Sequence, residues 1–119
     1  MAAIAYLVQD LLFTSKIREA AAGLGVDVVS ARDPDGLGQA ARGARLVIVD
    51  LRLPVALRAL DVLAADAATA GVRRVGFVDH ERTDVMEAAR ARGCTALTKG
   101  QFASMLPGLL REAAGEGGA

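Results

Sequence analysis

Asp10, Asp50, Asp79 and Lys99 are the residues whose types and places in the chain could do chemistry. Asp10 follows the apolar run "IAYLV", Asp50 ends "LVIVD" four residues before Pro54, Asp79 leaves "VGFVD", and Lys99 follows "TALT". A carboxylate at the end of a buried strand can cap the next helix, pair with a nearby cation such as Arg52, or carry chemistry of its own. His80 between Asp79 and Glu81 adds a candidate for metal binding or acid–base work, although a lone histidine in a polar loop is more often simply exposed.

Other chemistries find no support. Cys94 is the single cysteine, so there is no disulfide framework and no thiolate cluster for a metal; beside Gly93 at the start of an apolar run it reads as a small buried residue. No Ser–His–Asp order, Gly-rich phosphate loop or zinc spacing is present, and the chain does not read as an enzyme. The formal net charge is zero, which removes the basic footprint of nucleic-acid binding. "AAIAYLV" lacks a basic flank and meets Gln9 and Asp10 too soon for a signal peptide or a membrane span, so the setting expected is cytoplasmic.

The elements that must position these residues follow from periodicity. Short apolar runs recur at 4–7, 26–29, 46–49, 75–78 and 94–97, each followed by a stretch of helical spacing. A first helix over about 13–23 places Phe13, Ile17 and Ala20 on one face, with Thr14 and Ser15 to cap it and Gly23 and Gly25 to end it. Asp33 and Pro34 are the N-cap and first residue of a second helix reaching about Gly43. Pro54 opens a third, closed by the "TAG" turn at 69–71; a fourth spans about 82–92; and the last starts at Ser104, with Pro107 in its first turn. The chain is one domain over 1–113 with a flexible Gly-rich tail at 114–119.

Strand and helix alternating in this way require parallel neighbours joined by helical crossovers, so both faces of the sheet are covered. The expected fold is α/β: a flavodoxin-like, doubly wound sheet of five parallel strands with helices on both faces. Ligands of such sheets sit at the carboxyl ends of the strands, near the reversal of strand order. Gln9 and Asp10, Asp50, Val78 to His80, and Lys99 all leave that edge.

"YLVQD", "LVIVDLRLP" and "ARGCTALTKGQF", in this order and spacing, resemble the receiver domain of bacterial two-component response regulators over about residues 3–112. The resemblance implies that Asp50 is the phosphoacceptor, that Asp10, Asp50 and the backbone carbonyl of Arg52 ligate magnesium, and that Lys99 contacts a phosphoryl oxygen. Such chemistry needs a divalent ion and an ammonium, because a carboxylate attacks a phosphoryl group only when the crowded negative charge is neutralised. A sensor histidine kinase or a downstream protein is the implied partner. Docking or homodimerisation would use the face of the fourth helix, fifth strand and fifth helix, with Val85, Met86, Met105 and Leu109.

The departures from the family lie at the switch. Gln9 replaces the first of two acids, which weakens magnesium. Val78 or Asp79 stands where a hydroxyl residue ends the fourth strand, and an ionised Asp79 would repel phosphate. Ala96 stands at the aromatic switch position; "KGQF" lacks the usual proline and adds a residue to the loop; "VALRAL" lacks a Gly-containing turn, so the third helix is expected to begin early. The reading favoured is a receiver-like signalling module, or pseudo-receiver, acting through protein contacts. The alternatives are a working magnesium-dependent phosphoacceptor at Asp50, and an unrelated flavodoxin-like small-ligand or metal binder using Asp79, His80 and Glu81.

Overall fold

In the computed structural model, which describes residues 2–115, strand and helix alternate throughout. The elements are β1 (Ile4–Leu7), α1 (Leu11–Leu24), β2 (Val28–Ser30), α2 (Pro34–Ala40), β3 (Leu46–Asp50), α3 (Ala56–Ala65), β4 (Arg73–Val78), α4 (Thr83–Ala91), β5 (Thr95–Thr98) and α5 (Lys99–Ala113). All strand pairs are parallel, in the order β2-β1-β3-β4-β5. Strand order reverses between β1 and β3, and that is where a doubly wound sheet opens its crevice.

The unbroken apolar strands feed two cores. Successive side chains point to opposite faces, so Ala5, Leu7, Val47 and Val49 pack with Leu37, Leu60, Leu63 and Ala89 from α2, α3 and α4. Ile4, Tyr6, Leu46, Ile48 and Phe77 pack with Phe13 and Ile17 of α1 and with Phe102, Leu106 and Leu110 of α5. Strands β1 and β3 are buried along their whole length. The edge strand β2 is different: its Val29 and Ser30 are exposed, and it starts two residues later than the apolar run suggests.

Several boundaries differ from the sequence expectation for identifiable reasons. Helix α1 starts at Leu11 because Asp10 caps it, its Oδ1 accepting from the N–H groups of Leu12 (2.8 Å) and Phe13 (3.2 Å); Thr14 and Ser15 lie inside the helix. Gly25, at φ 67°, ends it in the left-handed conformation expected of a glycine cap. Asp33 caps α2 through the Gly36 N–H at 2.6 Å, with Pro34 first in the helix, as expected.

Helix α3 begins at Ala56 and not at Pro54. Between them the chain makes turns closed by Leu53 N–H to the Asp50 carbonyl (3.2 Å) and Ala56 N–H to the Leu53 carbonyl (3.0 Å). Past its end, the buried Thr69 hydroxyl donates to the Leu63 carbonyl at 2.7 Å and ties the closing turn down.

The largest correction concerns α5, which starts at Lys99 and not at Ser104. A reciprocal capping box fixes it: the Thr98 hydroxyl accepts from Gln101 N–H (3.1 Å) and Gln101 Oε1 accepts from Thr98 N–H (2.9 Å). Lys99 and Gly100 are therefore helical, no residue is added to a loop, and Pro107 lies inside the helix. Of the tail expected at 114–119, Ala114 and Gly115 form a turn, and the rest lies outside the described residues.

Candidate functional site at the carboxyl edge of the sheet

Adjacent strands β1 and β3 bring Asp10 and Asp50 to the same edge, since Leu7 pairs with Val49 in register. The turn after Asp50 is held from below. Leu51 N–H donates to the Phe77 carbonyl at 2.9 Å, and the Leu51 side chain lies over Gly76 of β4 so closely that a Cβ there would sit 2.7 Å from its Cγ. Gly76 is required because the space above it belongs to Leu51. Seating Leu51 turns the next residue, Arg52, back over the edge.

Arg52 closes the site. Its Nε donates to Asp50 Oδ1 at 2.8 Å and its Nη2 to Asp50 Oδ2 at 2.9 Å, and the same Nη2 reaches Asp10 Oδ2 at 3.1 Å. The Arg52 backbone N–H adds a bond to Asp50 Oδ1 at 3.1 Å. The guanidinium carbon lies 5.4 Å from the ring centre of Phe77 and 5.7 Å from that of Phe13, within cation–π range. Those rings belong to a cluster with Phe102, whose centroid is 4.6 Å from that of Phe77.

The Asp50 side chain is 3% exposed, against 27% for Arg52 and 30% for Asp10. The hydrogen bonds to Asp50 raise the Arg52 pKa further above its ordinary value, so the guanidinium is charged at every accessible pH. Asp10 is held below the usual carboxylate range, first by the Phe13 N–H and then by Arg52. For both carboxylates the structural uses named from sequence are realised: Asp10 caps a helix and Asp50 pairs with Arg52.

This donor set, as arranged, does not fit the magnesium ion implied by the resemblance. Each of the four carboxylate oxygens already accepts a hydrogen bond: both of Asp50 and one of Asp10 from Arg52, the other of Asp10 from the start of α1. Gln9 is exposed and adds no charge.

Lys99 pairs with Asp79. Its Nζ lies 2.8 Å from Asp79 Oδ1, with the two side chains 45% and 43% exposed, and this contact holds the Asp79 carboxyl below its ordinary pKa. Val78 and Ala96 are buried at 1% and 3%. His80 is exposed and 3.5 Å from Glu81. Among the described residues no group of three or more His, Cys, Asp or Glu side chains could hold a metal ion, so the Asp79, His80 and Glu81 cluster loses its support as a metal site. Cys94 is buried as expected, and burial pushes its thiol up to about 12, which leaves it unreactive at neutral pH.

The three-way contact of Arg52 with Asp10 and the aromatic rings is what sequence reasoning missed. Arg52 stands two residues from Asp50, which suggests that pair, but 42 residues from Asp10. Only the strand order joins them.

No protein-family model matches the chain, and no curated protein matches it in sequence. Solved structures do match in shape. The receiver domain of a sensor histidine kinase from Pseudomonas aeruginosa, with a magnesium ion coordinated in its active-site cleft, superposes with a TM-score of 0.75 at 19% identity, covering 96% of this chain and 98% of that one. The chemotaxis response regulator CheY4 of Vibrio cholerae gives 0.76 at 17% identity, covering 95% and 98%. The phosphorylated cyanobacterial phytochrome response regulator RcpA gives 0.71 at 20% identity, covering 93% of each chain. With the strand order and the two helical layers, these likenesses establish the fold: the chain has the CheY-like fold of those receiver domains, a flavodoxin-like (βα)5 sheet.

Proposed function

We propose that the chain is a receiver-like signalling module that acts through protein–protein contacts, with Asp50 at the phosphoacceptor position of a site whose switch residues are degenerate. The observation that carries this reading is the commitment of Lys99 to Asp79 at 2.8 Å. A carboxylate from the end of β4 competes with a phosphoryl oxygen for that ammonium, and the same place offers no hydroxyl to receive one. Ala96 is small and buried, so no aromatic side chain turns there in response. With Gln9 in place of an acid, magnesium is a weak occupant at best.

The partner in this reading is a sensor histidine kinase or a downstream protein, and the setting is the cytoplasm. No helix among the described residues is long and apolar enough to cross a membrane. Contacts at the carboxyl edge are supported by large apolar side chains exposed beside it: Leu11 (82%), Leu12 (62%) and Val55 (36%). On the docking face suggested by the resemblance Met105 is exposed, whereas Met86 and Leu109 are in the core and Val85 is half-buried, which corrects that expectation.

Amide NMR spectra with magnesium and beryllofluoride, or acetyl phosphate, test the reading. The expected result is no Asp50-dependent change reaching Ala96 or Lys99. Shifts that spread to β5 and α5 and vanish in Asp50→Ala would establish a working phosphoacceptor instead.

A further inference from the structure

The edge between Asp10 and Asp50 does not lack a cation. We propose that the guanidinium of Arg52 takes the place of the divalent ion between the two carboxylates, so that the site is completed by the chain itself and a metal enters only by displacing Arg52. The inference deepens the signalling reading of this same site.

Three observations converge on it. Arg52 grips Asp50 with two parallel N–H bonds of 2.8 and 2.9 Å, the bidentate geometry that a planar guanidinium offers and a spherical ion does not. It then bridges to Asp10 at 3.1 Å, so one side chain neutralises both acids. Finally, its guanidinium carbon lies over the rings of Phe77 and Phe13, 5.4 and 5.7 Å from their centres. A ring face rewards a weakly hydrated guanidinium, whereas a divalent ion keeps several waters and oxygen ligands about it.

The anchor beneath is equally specific. Leu51, seated in the space that Gly76 leaves open, fixes the turn from which Arg52 reaches back. A divalent ion entering the site must break the bidentate pair and meet the like charge of Arg52 nearby. Metal affinity is therefore suppressed by a group within the chain, and deleting that group should release it.

Manganese supplies the test, read as paramagnetic broadening of the amide signals of Asp10 to Phe13 and Leu51 to Leu53, with no phosphoryl donor present. The wild-type chain is expected to show no site-selective, saturable broadening at millimolar ion, and the same melting temperature in chelator as in magnesium. In Arg52→Ala the same amides should broaden saturably, with an affinity at least roughly tenfold above wild type, the scale of one lost charge-assisted contact. Arg52→Gln, which keeps most of the packing, should behave likewise if the alanine variant folds poorly. Site-selective manganese binding to wild type, or equal affinities in wild type and a folded variant, would overturn the proposal. Because no phosphoryl chemistry is read, that failure leaves the signalling reading standing, and the phosphate-mimic spectra can fail separately.

Discussion

Lys99 Nζ lies 2.8 Å from Asp79 Oδ1, and the two residues leave the carboxyl ends of neighbouring strands. Both side chains are close to half exposed, so the pair is screened by water and adds little to stability. Its effect is on availability, since the Asp79 carboxylate competes with any second anion for the Lys99 ammonium. Asp79→Ala is therefore expected to leave the urea midpoint nearly unchanged and, in an Arg52→Ala background where Asp50 is uncovered, to tighten the binding of beryllofluoride at the edge, followed through the Lys99 and Asp50 amides. Unaltered binding between the folded Arg52→Ala chain and the folded double variant would show that Asp79 is not what withholds the lysine.

Gly76→Ala places a methyl group 2.7 to 2.9 Å from the Leu51 side chain, which is buried and cannot swing into solvent. Overpacking of this kind costs about 1–3 kcal/mol, measurable by urea unfolding. The cost should shrink when Leu51→Ala is already present, because the two atoms compete for one space and the substitutions couple. Simple additivity of the two losses would argue that the strain is relieved elsewhere.

The fold was legible because the β and α patterns of this chain rarely conflict. Ile4 to Leu7 and Leu46 to Asp50 are buried on both faces, so their unbroken apolar runs could only be central strands. Asp10, Asp50 and Lys99 could be placed on one edge from strand ends alone, yet their partners could not. Which side chain meets a carboxylate depends on rotamers and on neighbours brought in by strand order, as Arg52 shows by reaching Asp10. The start of α5 was misread for a local reason. Strand β5 runs straight into the helix, Thr98 ending one and capping the other, with no loop composition to mark the change.

Asp10 should make the fold acid-sensitive. Its folded pKa lies below the ordinary 3.8, through the Phe13 N–H first and Arg52 second. Between the two values the folded chain binds fewer protons than the unfolded one, so stability is fully present above the ordinary value and declines as pH falls through the folded value. Asn still caps a helix but does not titrate. Asp10→Asn is thus expected to flatten the dependence of the urea midpoint on pH below about 4. The same steepness in both proteins would assign acid sensitivity to other carboxylates.

Pro107→Ala should stabilise the protein. Pro107 lies inside α5, where it has no N–H to give the Ala103 carbonyl and its ring crowds that oxygen. The residue is exposed while its neighbours Leu106 and Leu109 fill the core, so exchanging the ring for a methyl group removes no buried packing. Proline in a helix interior is about 3 kcal/mol less favourable than alanine, and its stiffening of the unfolded chain returns about 1 kcal/mol of that. A net gain of about 2 kcal/mol in urea unfolding follows. The gain also tests where α5 begins: if the helix started at Ser104, Pro107 would occupy a first turn with no bond to restore, and the substitution would change little.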